Sequence, residues 1–166
     1  LGDLDGDGYA DFGFGGPVDC NDWQTPDGDD QSWGHLRVLR GSATGAVYET
    51  ELLGSNDTVT GRDGLGASLF TAGDVNGDGY ADLVLGAHDP ETPESVGTVV
   101  VRLGSPEGYT TELVVDPGYP STGWAVSLAG DVNGDGYSDL IGGAPYANGA
   151  AGGDEGAAFV WYGRDT

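Results

Sequence analysis

The fold is decided by the stretch Asp74-Val75-Asn76-Gly77-Asp78-Gly79-Tyr80-Ala81-Asp82, which the chain repeats twice more with small changes. The other two versions occupy residues 3–11 and 131–139, and we number the three loop 1, loop 2 and loop 3 in chain order. Each has a carboxylate or amide side chain at positions 1, 3, 5 and 9, with glycine at position 6. Oxygen-bearing side chains at this spacing indicate a loop that wraps around a hard cation.

Calcium suits these loops better than other metals. Ca²⁺ takes about six to eight oxygen ligands in flexible geometry, whereas Mg²⁺ prefers a smaller octahedral site. Zinc is disfavoured because the chain has only two histidines and one cysteine, which are the usual zinc ligands. Position 7 is always tyrosine, so it can offer only its carbonyl. The predicted ligands of three Ca²⁺ sites are Asp3, Asp5, Asp7, Tyr9 and Asp11; Asp74, Asn76, Asp78, Tyr80 and Asp82; and Asp131, Asn133, Asp135, Tyr137 and Asp139.

Two alternatives compete with calcium bound in a β-hairpin. The helical EF-hand loop shares the first half of the spacing but needs a carboxylate at position 12. That position holds Phe14, Leu85 and Gly142, none of which can bind a cation through its side chain. Acidic Asp-Gly stretches also form ordinary metal-free hairpin turns. The threefold recurrence of the same oxygen pattern favours calcium over that simpler alternative.

The composition excludes several classes of partner. The chain has 28 Asp and Glu residues against 5 Lys and Arg, for a formal net charge of -23. Nucleic acids and anionic membrane surfaces both require clustered basic residues, so we expect no nucleic-acid partner. No stretch approaches the roughly 18 apolar residues of a membrane span, so none is expected in this segment. Four Trp, eight Tyr and four Phe argue against disorder, because they supply material for a core.

Strand-like segments recur between the loops. Short runs rich in Val, Leu, Thr and aromatic residues, bounded by Gly, Asp and Pro, predict β-strands, and helical periodicity is lacking. About ten strands are expected, at 12–17, 35–41, 47–53, 66–73, 83–87, 98–104, 110–115, 123–130, 140–145 and 158–163. The loops begin 71 and 57 residues apart, and such periods are typical of propellers and arrays. Four sequential antiparallel strands per repeat form a propeller blade.

The predicted fold is all-β, a partial β-propeller of about three four-stranded antiparallel blades. We assign residues 1–64 to blade 1, which lacks most of its inner strand and carries a long insertion at 17–34. Residues 65–121 form blade 2, and residues 122–166 form blade 3, which lacks its outer strand. Propellers use about four to eight blades. We therefore expect association with further blades of the same or another chain.

The sequence resembles the FG-GAP repeat of integrin α-subunit β-propellers and their bacterial relatives. The resemblance rests on the D-x-[DN]-x-D-G-x-x-D loops, on Gly143-Ala144-Pro145 and on Gly-Ser pairs at 41–42 and 104–105. The Phe-Gly half departs, since Leu65-Gly66 and Thr122-Gly123 stand in its place. The resemblance implies that calcium is structural, that each loop joins the two inner strands of a blade, and that partners bind the opposite face.

The leading functional hypothesis is a non-catalytic, calcium-stabilised binding or adhesion module, secreted or at the cell surface. Weak structural calcium sites fill at about millimolar calcium, which is an extracellular condition. A structural repeat of a self-assembling surface protein is the main alternative, followed by a lectin-like module or an accessory domain of a hydrolase. His35 and His88 occur in unrelated contexts without a nucleophile motif, so no catalytic residue is predicted.

The four tryptophans are expected to have different roles. Trp23 and Trp33 lie in the insertion and are candidates for a contact surface, while Trp124 and Trp161 are expected in strands as core residues. The tyrosine rings at position 7 are expected to pack between strands. Cys20 is the only cysteine and has no partner for an internal disulfide, and Asn56-Asp57-Thr58 is a lone glycosylation sequon. None of these features identifies the protein or glycan ligand.

Overall fold

The computed structural model describes residues 3–16, 35–53, 64–88, 96–105, 108–109, 111–115, 117–148, 153 and 155–165. These residues contain ten β-strands and no helix, as the sequence predicts. The strands are β1 Phe12–Gly16, β2 His35–Arg40, β3 Val47–Leu53, β4 Leu65–Gly73, β5 Asp82–Ala87, β6 Thr98–Leu103, β7 Thr111–Val115, β8 Ala125–Gly130, β9 Asp139–Ala144 and β10 Ala157–Trp161.

The strands form three antiparallel sheets whose spatial order follows the chain. Sheet A contains β1-β2-β3, sheet B contains β4-β5-β6-β7, and sheet C contains β8-β9-β10. Strands that pair in sequence order are the arrangement of propeller blades, so the structure is a partial β-propeller. The assignment of blades to residues 1–64, 65–121 and 122–166 stays a prediction, and the insertion at 17–34 lies outside the described residues.

Sheet B lies between the other two sheets and contributes to two cores. Every residue of β5 is buried, and successive side chains along a strand point to opposite faces. Leu83 and Leu85 pack with Leu36 of sheet A, whereas Val84 packs with Val126 of sheet C. A strand covered on both faces is apolar at every position, which explains the uninterrupted run Leu-Val-Leu after loop 2.

Glycines allow the sheets to approach one another through their main chains. A methyl group added to Gly15 would overlap the carbonyl of Gly66, and one added to Gly86 would overlap the carbonyl of Gly123. Gly15 and Gly86 begin Gly-Gly-Pro at 15–17 and Gly-Ala-His at 86–88, which stand where the third repeat has Gly-Ala-Pro. Their partners Gly66 and Gly123 are the glycines that stand in the Phe-Gly place of the next repeat. The missing phenylalanines therefore do not disturb these contacts, which involve the glycines and, at the second pair, the hydroxyl of Ser68 donating to Gly123.

The strand directions place the three loops at the same end of the sheets. Loop 2 joins β4 to β5, loop 3 joins β8 to β9, and loop 1 leads into β1. The strand β4 lies beside both β1 and β8, so the sheets meet at their first strands. Loop 2 connects this first strand of sheet B to the second, β5. The segments that precede β8 and that follow β5 and β9 lie at the opposite end.

Candidate cation-binding loops

The aspartate at position 1 organises each loop through main-chain N–H groups. In loop 2, Asp74 Oδ1 accepts hydrogen bonds from Gly77 at 2.6 Å and Asp78 at 3.0 Å, and its Oδ2 accepts one from Gly79 at 2.9 Å. Gly77 and Gly79 have φ values of 75° and 91°, which favour glycine. Asp3 and Asp131 accept the equivalent three bonds in their own loops. The three loops therefore share one geometry.

The aspartate at position 9 is buried and joins each loop to a distant strand end. Asp82 Oδ2 accepts a hydrogen bond from Val75 at 2.7 Å, and its Oδ1 accepts one from Gly104 at 2.8 Å. Asp11 and Asp139 make the same pair of bonds. Burial raises the pKa of Asp82 to about 6, against the lowering effect of these two N–H donors. A nearby cation would favour the ionised form.

The glycine that follows the second strand after each loop, namely β2, β6 and β10, is a site residue whose role is not evident from the loop motif. Gly41, Gly104 and Gly163 each donate a main-chain N–H to the position-9 aspartate. A methyl group at any of them would meet the carbonyl oxygen at position 8 of the adjoining loop. A signal for this role is present in the sequence, because each predicted second strand ends in glycine.

Position 3 differs between loop 1 and the other loops. In loop 2, Asn76 Nδ2 donates to Asp78 Oδ2 at 3.0 Å, and the equivalent bond in loop 3 is 2.8 Å long. Loop 1 has Asp5 at position 3, and its Oδ2 accepts a hydrogen bond from Arg40 Nη1 at 2.8 Å. The position-5 aspartate of each loop accepts a hydrogen bond from the tyrosine N–H at position 7.

Loop 1 brings three of its predicted carboxylate ligands together. Oxygen atoms of Asp3, Asp5 and Asp11 lie within 4.8 Å of one another, and Asp7 is not part of this cluster. A carboxylate oxygen that accepts one N–H keeps a second lone pair, so these atoms can still coordinate an ion. Hard oxygen donors fit a divalent cation such as calcium. The tyrosine carbonyls of the ligand prediction stay a prediction.

Loops 2 and 3 are also joined directly to each other. Ser138 donates its N–H to the carbonyl of Asp74 at 3.0 Å, and Asp74 donates its N–H to Ser138 Oγ at 3.2 Å. The ring of Tyr137 lies against Gly77, where an added methyl would be 2.7 Å from Cε1. The ring therefore contacts the neighbouring loop, and it was expected to pack between strands. An ion bound in loop 2 would therefore lie close to Tyr137 and Ser138 of loop 3.

The opposite end of the sheets carries an aromatic cluster formed by His88, Trp124 and Tyr146. The rings of His88 and Trp124 stack at 4.8 Å, and Trp124 meets Tyr146 edge-on at 5.8 Å. Trp124 is 42% exposed and Tyr146 37% exposed. The expectation of a core Trp124 was wrong, because the residue precedes β8 and reaches the surface. Trp161 lies in β10 and packs against the core as expected.

Other predicted features fall outside the part of the chain that the structure describes. They are Trp23, Trp33, Cys20 and the sequon at Asn56. His35 begins β2, and His88 is buried beneath Trp124. Within the described ranges, no helix has the length and apolar character needed to cross a membrane.

The three sheets and the three aspartate loops define a β-propeller repeat protein. The FG-GAP repeat family matches residues 65–101 and 122–161, which contain loops 2 and 3. The chain therefore carries FG-GAP repeats. Loop 1 lies outside the matched ranges, yet it makes the same position-1 and position-9 hydrogen bonds as the other two loops.

The chain is also similar to integrin α-subunits along most of its length. It is 36% identical over 156 residues to integrin alpha-PS2 of Drosophila melanogaster, an alignment that covers 86% of this chain and 11% of that protein. It is 33% identical over 184 positions to integrin alpha pat-2 of Caenorhabditis elegans, with 98% of this chain and 13% of that protein covered. Integrin alpha-7 of Homo sapiens is 35% identical over 138 residues, or 78% of this chain and 11% of that protein. The chain thus spans only about a tenth of the length of these relatives.

Proposed function

We propose that this chain is a calcium-stabilised, non-catalytic binding or adhesion module that works outside the cell. The observation that carries the proposal is the recurrence of one loop geometry in three places, with a position-1 aspartate and a buried position-9 aspartate held in the same way. Each loop would hold one Ca²⁺ through its side chains at positions 1, 3, 5 and 9 and its carbonyl at position 7.

Calcium would act on stability in this proposal. Clustered carboxylates repel one another when no cation is present, and the whole chain has a formal net charge of -23. An ion that binds the folded chain and not the unfolded chain stabilises folding in proportion to its affinity and concentration. The position-9 aspartates link each loop to a strand end, so calcium would fasten the ends of neighbouring strands together.

The extracellular setting rests on the proposed chemistry and on the similarity to integrin α-subunits. Structural calcium sites of moderate affinity fill at the roughly millimolar calcium found outside cells. Cytosolic calcium would leave such sites largely empty. We therefore expect the chain on the cell surface or in the secreted fraction.

The aromatic cluster is the proposed contact surface for a protein or glycan ligand. It lies at the end of the sheets opposite the loops, so a ligand there would not compete with calcium. Tryptophan and tyrosine are enriched in binding surfaces because they combine a large apolar area with a polar atom. A glycan array and a surface-protein panel, each probed with the chain and with Trp124→Ala, would separate the two ligand classes.

A second candidate function, assembly with further blades, has its own observation. A groove of about 590 Å³ lies between β7 and β10, and its lining includes Val101, Leu113, Val115, Leu140 and Trp161. Among the described strands, β10 pairs with β9 on one side only, and open strand edges readily accept another strand. Light scattering of the purified chain tests self-assembly, because a monomer at all concentrations would exclude it.

The calcium proposal is tested by native mass spectrometry together with thermal unfolding. The calcium-loaded chain should carry three Ca²⁺ ions, and excess chelator should lower its Tm. A chain that binds no calcium and whose Tm does not respond to chelator would overturn the proposal. Magnesium at the same concentration is the matched control, and we expect a smaller rise in Tm because Mg²⁺ is held less well by such flexible oxygen sites.

A further inference from the structure

The first repeat differs from the other two in a pair of residues that contact each other, one in loop 1 and one at the end of β2. Its position 3 is Asp5, where loops 2 and 3 have Asn76 and Asn133. The residue before its strand-end glycine is Arg40, whereas the equivalent residues are Leu103 and Tyr162. Arg40 Nη1 lies 2.8 Å from Asp5 Oδ2. The extra carboxylate and the extra guanidinium therefore occur in the same repeat and form an ion pair.

The ion pair makes the charge of loop 1 equal to that of its neighbours. The four aspartates of loop 1 together with Arg40 give a net formal charge of -3, which is also the charge of the three aspartates in loop 2 or loop 3. In loops 2 and 3, the asparagine amide donates to the position-5 aspartate from within the loop. In loop 1, the position-3 side chain is Asp5, and it accepts a hydrogen bond from Arg40 at the end of β2.

Arg40 contacts one of the carboxylates that a cation in loop 1 would use. Asp5 is one of the three residues whose oxygens lie within 4.8 Å of one another. The side chains of Arg40 and Asp5 are 29% and 14% exposed, so water screens the pair only in part. Charge-assisted hydrogen bonds of this length are stronger than neutral ones. A Ca²⁺ ion that coordinates Asp5 through Oδ2 shares that oxygen with the guanidinium or displaces it, and one bound through Oδ1, which accepts the N–H of Asp7, still lies close to the same positive charge.

We propose that Arg40 is a tethered counter-ion of loop 1 that competes with calcium there. It neutralises part of the carboxylate cluster in the absence of metal, and it lowers the calcium affinity of loop 1 relative to loops 2 and 3. The chain then fills two sites at lower calcium concentration than the third. This inference rests on the proposed function, because it concerns the affinity of one of the three calcium loops.

The test compares the 166-residue chain with Arg40→Leu, which gives loop 1 the residue that loop 2 has at this place. Calcium titration followed by native mass spectrometry counts the ions, and isothermal titration calorimetry measures their affinities. The parent chain should bind two ions more tightly than the third, and Arg40→Leu should tighten the third site about tenfold by removing a nearby positive charge. Asp3→Asn should abolish the weaker site, which assigns that site to loop 1.

Thermal unfolding adds a readout that distinguishes competition from simple packing. Arg40→Leu should lower the Tm in chelator more than in saturating calcium, because calcium replaces the lost positive charge. Arg37→Leu is the matched control, since it removes one positive charge from β2 at a different position, and it should leave the third affinity unchanged. Arg40→Lys keeps the charge without the planar guanidinium and should show an intermediate affinity.

A transplant into loop 3 tests the same inference without touching loop 1. Tyr162 is 61% exposed, so Tyr162→Arg combined with Asn133→Asp adds the pair without disturbing the core. This double variant should weaken calcium binding at the loop 3 site. If Arg40→Leu does not fold, the double variant still tests whether an arginine at this place lowers the calcium affinity of the loop beside it. Three indistinguishable affinities in the parent chain, or equal Tm losses with and without calcium, would overturn the role of Arg40 and leave the calcium proposal standing. Absence of all calcium binding would overturn both.

Discussion

The carboxylate of Asp82 accepts a hydrogen bond from the main-chain N–H of Gly104 at 2.8 Å, although 22 residues separate the two. Its other oxygen accepts a bond from Val75 within the loop. One buried side chain thus holds a loop and the end of β6 together. The same arrangement occurs at Asp11 with Gly41 and at Asp139 with Gly163, so it forms the common frame on which the candidate cation ligands are placed.

Gly104→Ala should destabilise the chain by about 2 kcal/mol or more, because the new methyl meets the carbonyl of Ala81 and pushes the N–H away from Asp82. Urea unfolding monitored by tryptophan fluorescence measures the change. The matched control is Gly143→Ala, where the nearest atom to an added methyl is 3.9 Å away. Equal losses for the two variants would contradict the role of Gly104.

Asp82→Asn should cost about 1–3 kcal/mol in the presence of chelator, because an amide has one acceptor oxygen and leaves one of the two N–H donors without its partner. Asp78→Asn is the control, since its remaining oxygen can still accept the bond from Tyr80, and the donor that it loses, Asn76 Nδ2, is exposed to water. Denaturant unfolding in chelator compares the two. Both variants should weaken calcium binding in loop 2. If Asp78→Asn lowers the free energy of unfolding in chelator as much as Asp82→Asn does, the two N–H donors to Asp82 do not have the proposed role.

The stability of the calcium-free chain should depend on pH through Asp82. Its pKa is raised from 3.8 to about 6, first by burial, so the folded chain binds this proton more tightly than the unfolded chain does. Protonation of Asp82 therefore adds to the free energy of unfolding. This contribution is complete below pH 3.8 and is lost as the pH rises through about 6.

The measurement for this pH dependence is the free energy of unfolding from about pH 4 to about pH 7 in chelator, for the parent chain and for Asp82→Asn. The free energy of unfolding of the parent chain minus that of Asp82→Asn should decline as the pH rises. Saturating calcium should remove the decline, because the cation stabilises the ionised carboxylate. A difference that grows with pH in chelator would show that the two N–H donors outweigh burial.

Ser138→Ala should loosen the connection between loops 2 and 3. It removes the hydroxyl that accepts the N–H of Asp74 at 3.2 Å, at a cost of about 1 kcal/mol. Alanine is the natural residue at this position in loops 1 and 2, so the loop itself should tolerate it. Hydrogen exchange at Asp74, measured by NMR, should become faster. Ser127→Ala, which loses a bond to the carbonyl of Leu128, should leave that rate unchanged.

The ten strands and the spacing of the three loops were predictable from the sequence, because both are local patterns. Short runs rich in Val, Leu, Thr and aromatic residues, bounded by Gly, Asp and Pro, identify strands, and a nine-residue repeat identifies a turn. The contacts that complete the site were not predictable, since they join residues far apart in the chain. Asp5 and Arg40 are separated by 35 positions, and no local pattern relates them.

Trp124 was misplaced for a related reason. An aromatic residue beside a strand pattern normally enters the core, but β8 begins one residue later, at Ala125. The ring instead covers His88, which follows β5. Its position depends on how sheet C lies beside sheet B, and that relation is a property of the assembled fold.

The glycine pairs Gly15 with Gly66 and Gly86 with Gly123 set the distance between neighbouring sheets through close main-chain contacts, and at the second pair the hydroxyl of Ser68 donates to the carbonyl of Gly123. Because the residues at these contacts belong to the inner strands and the segments beside them, the spacing from one sheet to the next does not depend on which residues the outer strands carry. Outer strands and their connections can therefore diverge freely while each new unit docks at the same distance. Units from different chains that keep this glycine pair should be interchangeable in one hybrid array.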